Sequence, residues 1–193
     1  MLPLFSMITF RYALTPEDFA NFTVYVQLEA PGKKKMLIKR FLRPIFLFVI
    51  FICVINISTS FIGDNFSVAE MIPIIFFLVI VLIPVLTLKA RLKNAALKVA
   101  RNPENAAIFN MADYTFSETG ILYKDTSKEI KYQWNAFIKK QETAGYIYLF
   151  LHATNALIIP KNIFRSQVEK EQLEKLLSQY ISFDAEVGHL VKG

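Results

Sequence analysis

The chain has little of what enzymatic or metal chemistry is built from. Its single cysteine, Cys53, excludes an intramolecular disulfide. Its only histidines, His152 and His189, stand at no metal-ligand spacing with each other or with Cys53, which excludes a structural zinc site of the usual kind. The glycines are few and scattered, so neither a Walker loop nor a dinucleotide fingerprint is present. Ser117-Glu118-Thr119-Gly120 lacks the small residues that flank the serine of a nucleophile elbow, and it reads as a hairpin turn. Charge is also missing over long distances: residues 44–63 and 71–88 contain no Lys, Arg, Asp or Glu. No cleavable signal peptide is expected, because the first ten residues lack a basic segment and no small-residue cleavage site follows before Glu17 and Asp18.

What is present is apolar and unevenly charged. Hydrophobic residues make up 54% of the chain, above the usual share of about 45–50% for a soluble domain. The net charge of +6 suggests a nucleic-acid binder until it is divided along the sequence. Residues 1–43 carry 7 Lys/Arg against 3 Asp/Glu, residues 89–111 carry 5 against 1, and residues 112–193 carry 10 against 10. The excess therefore flanks the uncharged runs, which is the pattern of membrane topology and not of phosphate recognition.

The order of elements follows from periodicity and punctuation. Residues 8–12 read as a strand. Thr15-Pro16-Glu17-Asp18 reads as a helix start, with a Thr cap, a proline in the first turn and acids at the positive end. Phe19, Phe22 and Val26 continue an amphipathic helix that Pro31-Gly32 ends. Residues 1–43 thus form an N-terminal strand, helix and basic flank. The uncharged 44–63 matches a hydrocarbon core of ~30 Å at ~1.5 Å per residue, so it is expected to be a transmembrane helix. Residues 64–70 are expected to be an extracytoplasmic link and 71–88 a second transmembrane helix. Basic flanks on both outer sides of the pair predict a multi-pass protein of the inner (plasma) membrane with both termini cytoplasmic. Lys89, Arg91, Lys93, Lys98 and Arg101 surround a helical continuation over 89–111, a basic juxtamembrane segment suited to anionic headgroups, up to Asn102-Pro103.

From residue 112 the pattern becomes strands and turns. Strands are expected at 114–116, 121–124, 130–134, 138–142, 146–153 and 156–160, followed by a helix over 166–180 with Leu173, Leu176, Leu177 and Tyr180 on one face. The fold class expected is an α+β membrane protein: a two-helix transmembrane hairpin plus one small antiparallel sheet over 112–181, capped by the C-terminal helix. Residues 182–193 are a tail.

The sequence resembles the YcxB-like family of small bacterial membrane proteins. The resemblance rests on Thr15-Pro16-Glu17-Asp18-Phe19, on the paired uncharged runs, and on a C-terminal run. That run comprises Thr115-Phe116, Gly120-Ile121, Trp134, Ile138, residues 146–151, Ile158-Ile159-Pro160-Lys161 and Ile163-Phe164. It implies a cytoplasmic domain similar to pleckstrin-homology-like domains. It brings no established activity and no catalytic residues.

No catalytic, cofactor-binding or metal-binding residue is therefore assigned, and the expectation is a non-enzyme without a cofactor. Contacts with a partner or headgroup are weighed at Lys131, Lys139, Lys140, His152 and Lys161. The structural reading is a packed or rim position for His152 and a solvated turn for Lys161, with Glu142 and Glu129 interleaved among the lysines so that no strong basic pocket forms. Asn56, Ser58, Thr59 and Ser60 are polar without being ionisable, which argues against a channel or pump. Expected partners are membrane lipid, a protein partner or a second copy, and not nucleic acid. The leading functional expectation is a membrane-anchored binding or scaffold module whose cytoplasmic domain recognises a protein. The alternative is a sensor of anionic lipid.

Overall fold

The computed structural model describes residues 7–62 and 68–181, and within its two long helices it leaves out the side chains of 34, 40, 54–62, 68–74, 78, 80–82 and 85. The chain divides into two compact units, residues 1–19 with 99–193 and residues 20–98.

The first unit is built on two antiparallel sheets. Sheet A has the order β1-β2-β3-β4, from Ile8–Tyr12, Ala112–Ser117, Gly120–Lys124 and Glu129–Tyr132. Sheet B has the order β5-β6-β7, from Lys139–Glu142, Tyr146–His152 and Asn155–Pro160. The single sheet expected over 112–181 is therefore corrected to two, because a short 3-10 turn at Trp134–Ala136 interrupts the alternation after Tyr132. The N-terminal strand also joins in: Ile8 pairs with Phe116 and Tyr12 with Ala112, so strands about a hundred residues apart are neighbours.

Alternation gives sheet A one apolar face of Phe10, Tyr12, Tyr114, Phe116 and Ile121, which meets Ile147, Leu149 and Ile159 of sheet B. Helix α4, Gln167–Tyr180, closes this core with Leu173, Leu176 and Leu177, all fully buried. Its first turn is capped as its sequence requires, with Ser166 Oγ accepting from the Glu169 amide at 3.2 Å. At the other end Tyr180 stacks on Trp134, ring centroids 5.2 Å apart. Trp134 itself is buried, and its indole N–H donates to the carbonyls of Ser117 and Glu118.

Helix α1, Pro16–Val24, begins with reciprocal caps. The Thr15 amide donates to Asp18 Oδ2 at 2.8 Å, and the Asp18 amide donates to Thr15 Oγ1 at 3.1 Å. Its last residues wind wider, and Tyr25–Glu29 form a π-helical turn before Pro31-Gly32. Gly32 has φ 84°, the left-handed conformation glycine adopts at low cost.

The second unit is dominated by α2, Lys33–Ile62, and α3, Val68–Ala100. Phe48 and Phe77 stack between them with ring planes 15° apart, and Lys89 reaches Glu29 at 2.7 Å. Among the described residues no helix is long and apolar enough to cross a membrane. This overturns the transmembrane hairpin with spans at 44–63 and 71–88, and with it the multi-pass placement in the inner membrane with cytoplasmic termini. The physical reason lies in how the helices run. Helix α2 starts at Lys33 and passes Lys39, Arg43 and Pro44 without a break, while α3 continues through Lys89, Arg91, Lys93 and Lys98. Most of the 64–70 link, the side chains of Asn56, Ser58, Thr59 and Ser60, His189, and the 182–193 tail lie outside the described residues.

Candidate functional site

The lysines singled out in the sequence do not form one pocket. Lys139 and Lys140 are consecutive on β5, so they point to opposite faces of sheet B. Lys139 lies opposite Phe150, with its ammonium 4.5 Å from the centre of that ring, and partial burial lowers its pKa. Lys140 lies opposite Leu149 on the core face and is 5% exposed, the one buried charged residue among those described. Burial lowers its pKa, opposed by the carboxylates of Glu142 and Glu174.

Glu142 organises this corner. Its carboxylate is 2.6 Å from Lys161 Nζ and 4.0 Å from Lys140 Nζ. The Lys161 contact, followed by the charges of Lys161, Lys140 and Lys170, holds the Glu142 pKa below the ordinary range against the opposing effect of burial. On α4, Lys170 pairs with Glu174 at 3.5 Å, one turn apart. Lys161 is thus tied into an ion pair at the turn after β7 and is not the solvated residue its sequence context suggested. His152 is exposed at the end of β6, paired with Asn155 beyond an irregularity in the ladder after Phe150.

The basic helix residues are likewise dispersed. Lys89 is paired with Glu29, Arg101 lies 3.9 Å from Glu17, Arg91 and Lys98 are exposed, and Lys93 is half-buried.

A surface that sequence reasoning did not assemble is the outer face of sheet A. The register of its four strands lines up two rows across it. One row runs Arg11, Asp113, Lys124, Glu129, and the other Thr9, Thr115, Leu122, Lys131. The first alternates in sign along its whole length, with Arg11 3.7 Å from Asp113 and Lys124 3.4 Å from Glu129. In the second, the Thr9 and Thr115 hydroxyls are 3.0 Å apart, followed by half-buried Leu122 and exposed Lys131. Of the earlier candidates only Lys131 belongs here. The remaining residues escaped notice because β1 contributes its two from the other end of the chain.

On the core side, sheet A carries a chain of tyrosines. Tyr12 stacks on Tyr114 at 4.3 Å, Tyr114 meets Tyr123 edge-on at 5.2 Å, and the Tyr123 hydroxyl donates to Asp125 at 2.5 Å. The Tyr12 hydroxyl donates to the Ile158 carbonyl at 2.9 Å, joining β1 to β7 across the open corner of the two sheets. Burial pushes the Tyr12 pKa well up and that of Tyr114 to about 12, so both phenols stay protonated at neutral pH and Tyr12 keeps donating to Ile158. Asp125 is held well below the usual carboxylate range, first by the Tyr123 hydroxyl and then by the amides of Ser127 and Lys128, which makes it the organiser of the β3–β4 turn. These groups are used within the fold.

Residues 116–177, from the middle of β2 through Leu177 of α4, match the family model described as YcxB-like protein. The chain carries a YcxB-like domain. The matched stretch takes in β3–β7 and the Glu142 corner, while β1, the 3-10 turn at Pro103–Phe109 and both long helices lie outside it. No curated protein and no solved structure matches the chain. Among the described residues no group of His, Cys, Asp or Glu is arranged to hold a metal ion.

Proposed function

We propose that the YcxB-like domain is a non-enzymatic binding module that recognises a protein partner through the outer face of sheet A. The observation that carries this reading is the row Arg11, Asp113, Lys124, Glu129, alternating in sign across four strands beside the row that holds Leu122. A surface with alternating charges and a small apolar centre favours a protein surface of complementary pattern, because like charges brought together across an interface oppose the wrong partner. Its excess of positive charge is one, at Lys131, too little to favour an anionic headgroup. The Glu142 corner supports the same choice, since Lys140 and Lys161 are already matched by a carboxylate.

The test uses the full chain. Chemical cross-linking in cell extract should capture a defined protein with the wild type and lose it with Thr115→Arg combined with Leu122→Arg, while both chains keep the same melting transition. Capture of the same protein by the double variant would refute this surface. Sedimentation with anionic vesicles that falls with salt, and is absent with neutral vesicles, would favour lipid recognition instead.

A further inference from the structure

The helical unit leaves a large apolar surface uncovered. On α2 and α3 many of the large hydrophobic side chains are exposed, among them Phe46 and Phe76 at 65% each and Leu86 at 77%. Leu42, Phe46 and Val49 lie along one face of α2 at helical spacing and line a shallow apolar trough with Lys39 and Arg43 at one end. The stacked pair Phe48 and Phe77 joins the two helices from within and does not account for these outward residues.

The extent of this surface decides what it can do. Eight such residues on α2 and six on α3, each leaving of order 100 Å² of apolar surface accessible, amount to roughly 1,400 Å² per chain, against the ~800 Å² a stable interface buries on each partner. Contiguous exposed apolar patches on monomers seldom exceed ~300–600 Å². The chemistry of the surface narrows the occupant. Residues 44–63 and 71–88 carry no charge, so nothing there selects an unlike partner by electrostatic complementarity. A second copy of the same helix pair offers a surface of equal size and equally uncharged, aromatic-rich character. Twofold pairing of two helical hairpins gives a four-helix arrangement in which each apolar face covers its own counterpart.

We infer that α2 and α3 form the self-association surface of this chain, and that the protein is a homodimer through its helical unit. This goes beyond the partner-binding role of sheet A and does not depend on it.

Light scattering after size exclusion of the full chain, in buffer containing a mild non-ionic detergent and corrected for bound detergent, measures the mass directly. The wild type should elute as a single species of twice the chain mass. Phe46→Glu with Phe76→Glu should lower that mass two-fold with an unchanged helical circular dichroism signal, because both side chains are exposed and neither belongs to the stacked Phe48–Phe77 pair. The milder Phe46→Ser with Phe76→Ser should shift the dimer to higher protein concentration. Val168→Glu, on an exposed apolar residue of α4, should leave the dimer intact. A monomeric wild type, a dimer that survives the double glutamate substitution, or a broad range of sizes without a discrete dimer would each overturn the inference.

Discussion

At the scale of single residues, Lys140 and Glu142 are the most informative pair. An ammonium inside a sheet-to-helix interface is tolerable only with a carboxylate in reach, and breaking such a pair costs more than replacing its buried member. Glu142→Gln should therefore destabilise the domain by about 1–2 kcal/mol, below the value for a fully buried pair because Glu142 is partly exposed to solvent. Lys140→Met, which keeps the volume and removes the charge, should change stability by less than about 1 kcal/mol. Urea titrations of the two variants measure both. The pH dependence follows from the direction of the Glu142 shift. Its pKa is lower in the folded than in the unfolded chain, so its contribution is complete above the unfolded value and is lost as pH falls through the folded one. Wild-type stability should thus decline below about pH 4.5, and the decline should be shallower in Glu142→Gln. Gly120 is a second position where one atom decides. Its φ is 134°, and a Cβ there would lie 2.0 Å from the Tyr132 carbonyl oxygen. Gly120→Ala should cost about 2 kcal/mol or more, since the β3–β4 ladder must move to admit it. A melting curve that matched the wild type would contradict this.

At the scale of elements, β1 is the piece that the sequence both revealed and concealed. Its residues 8–12 are legible as a strand from their alternation and β-branched content, and the structure gives the same bounds. Its partner was not legible, because pairing over about a hundred residues leaves no local trace. Tyr12→Phe isolates what β1 adds at the sheet corner: it removes one hydroxyl and leaves the buried Ile158 carbonyl without that donor. The expected cost is about 1–2 kcal/mol, read by thermal unfolding, while Tyr114→Phe, a control on the neighbouring ring, should cost less. Helix starts were the most readable features, since Thr15 caps α1 as its sequence context requires and α4 begins directly after Ser166, within the expected 166–180. The interruption after Tyr132 was missed because Trp134 continues the two-residue alternation while the backbone turns into a 3-10 segment. The Glu142 corner was half legible. The interleaving of acids and bases was visible, but which lysine is buried depends on the face that α4 covers. The membrane-spanning reading failed for a related reason: an uncharged run marks apolar demand and not what meets it, and the helices that carry the runs extend into strongly basic turns.

At the scale of the whole molecule, the connection is the unusual feature. The helical unit is inserted between two strands that are direct neighbours, so a domain recognisable at 116–177 draws an edge strand from the far N-terminus. Residues 99–181 alone would expose Phe116 and Phe164 where Phe10 packs and would lose the Asp18 acceptor of the Tyr146 hydroxyl. That fragment should be poorly folded, with a broad, weakly cooperative melt. The ends of the insertion are close, since Glu17 meets Arg101 at 3.9 Å and the Phe19 and Phe109 rings are 6.2 Å apart. A flexible Gly/Ser linker of about ten residues, with a root-mean-square span of roughly 16–19 Å, can therefore replace 20–98. Joining Phe19 to Val99 in this way should restore a single cooperative transition, because it returns β1 and the Asp18 contact at little cost in loop entropy. Recovery in the linked chain but not in the fragment would place the requirement in residues 7–19. Failure of both would mean that the helical unit supplies packing to the domain as well as connecting its strands.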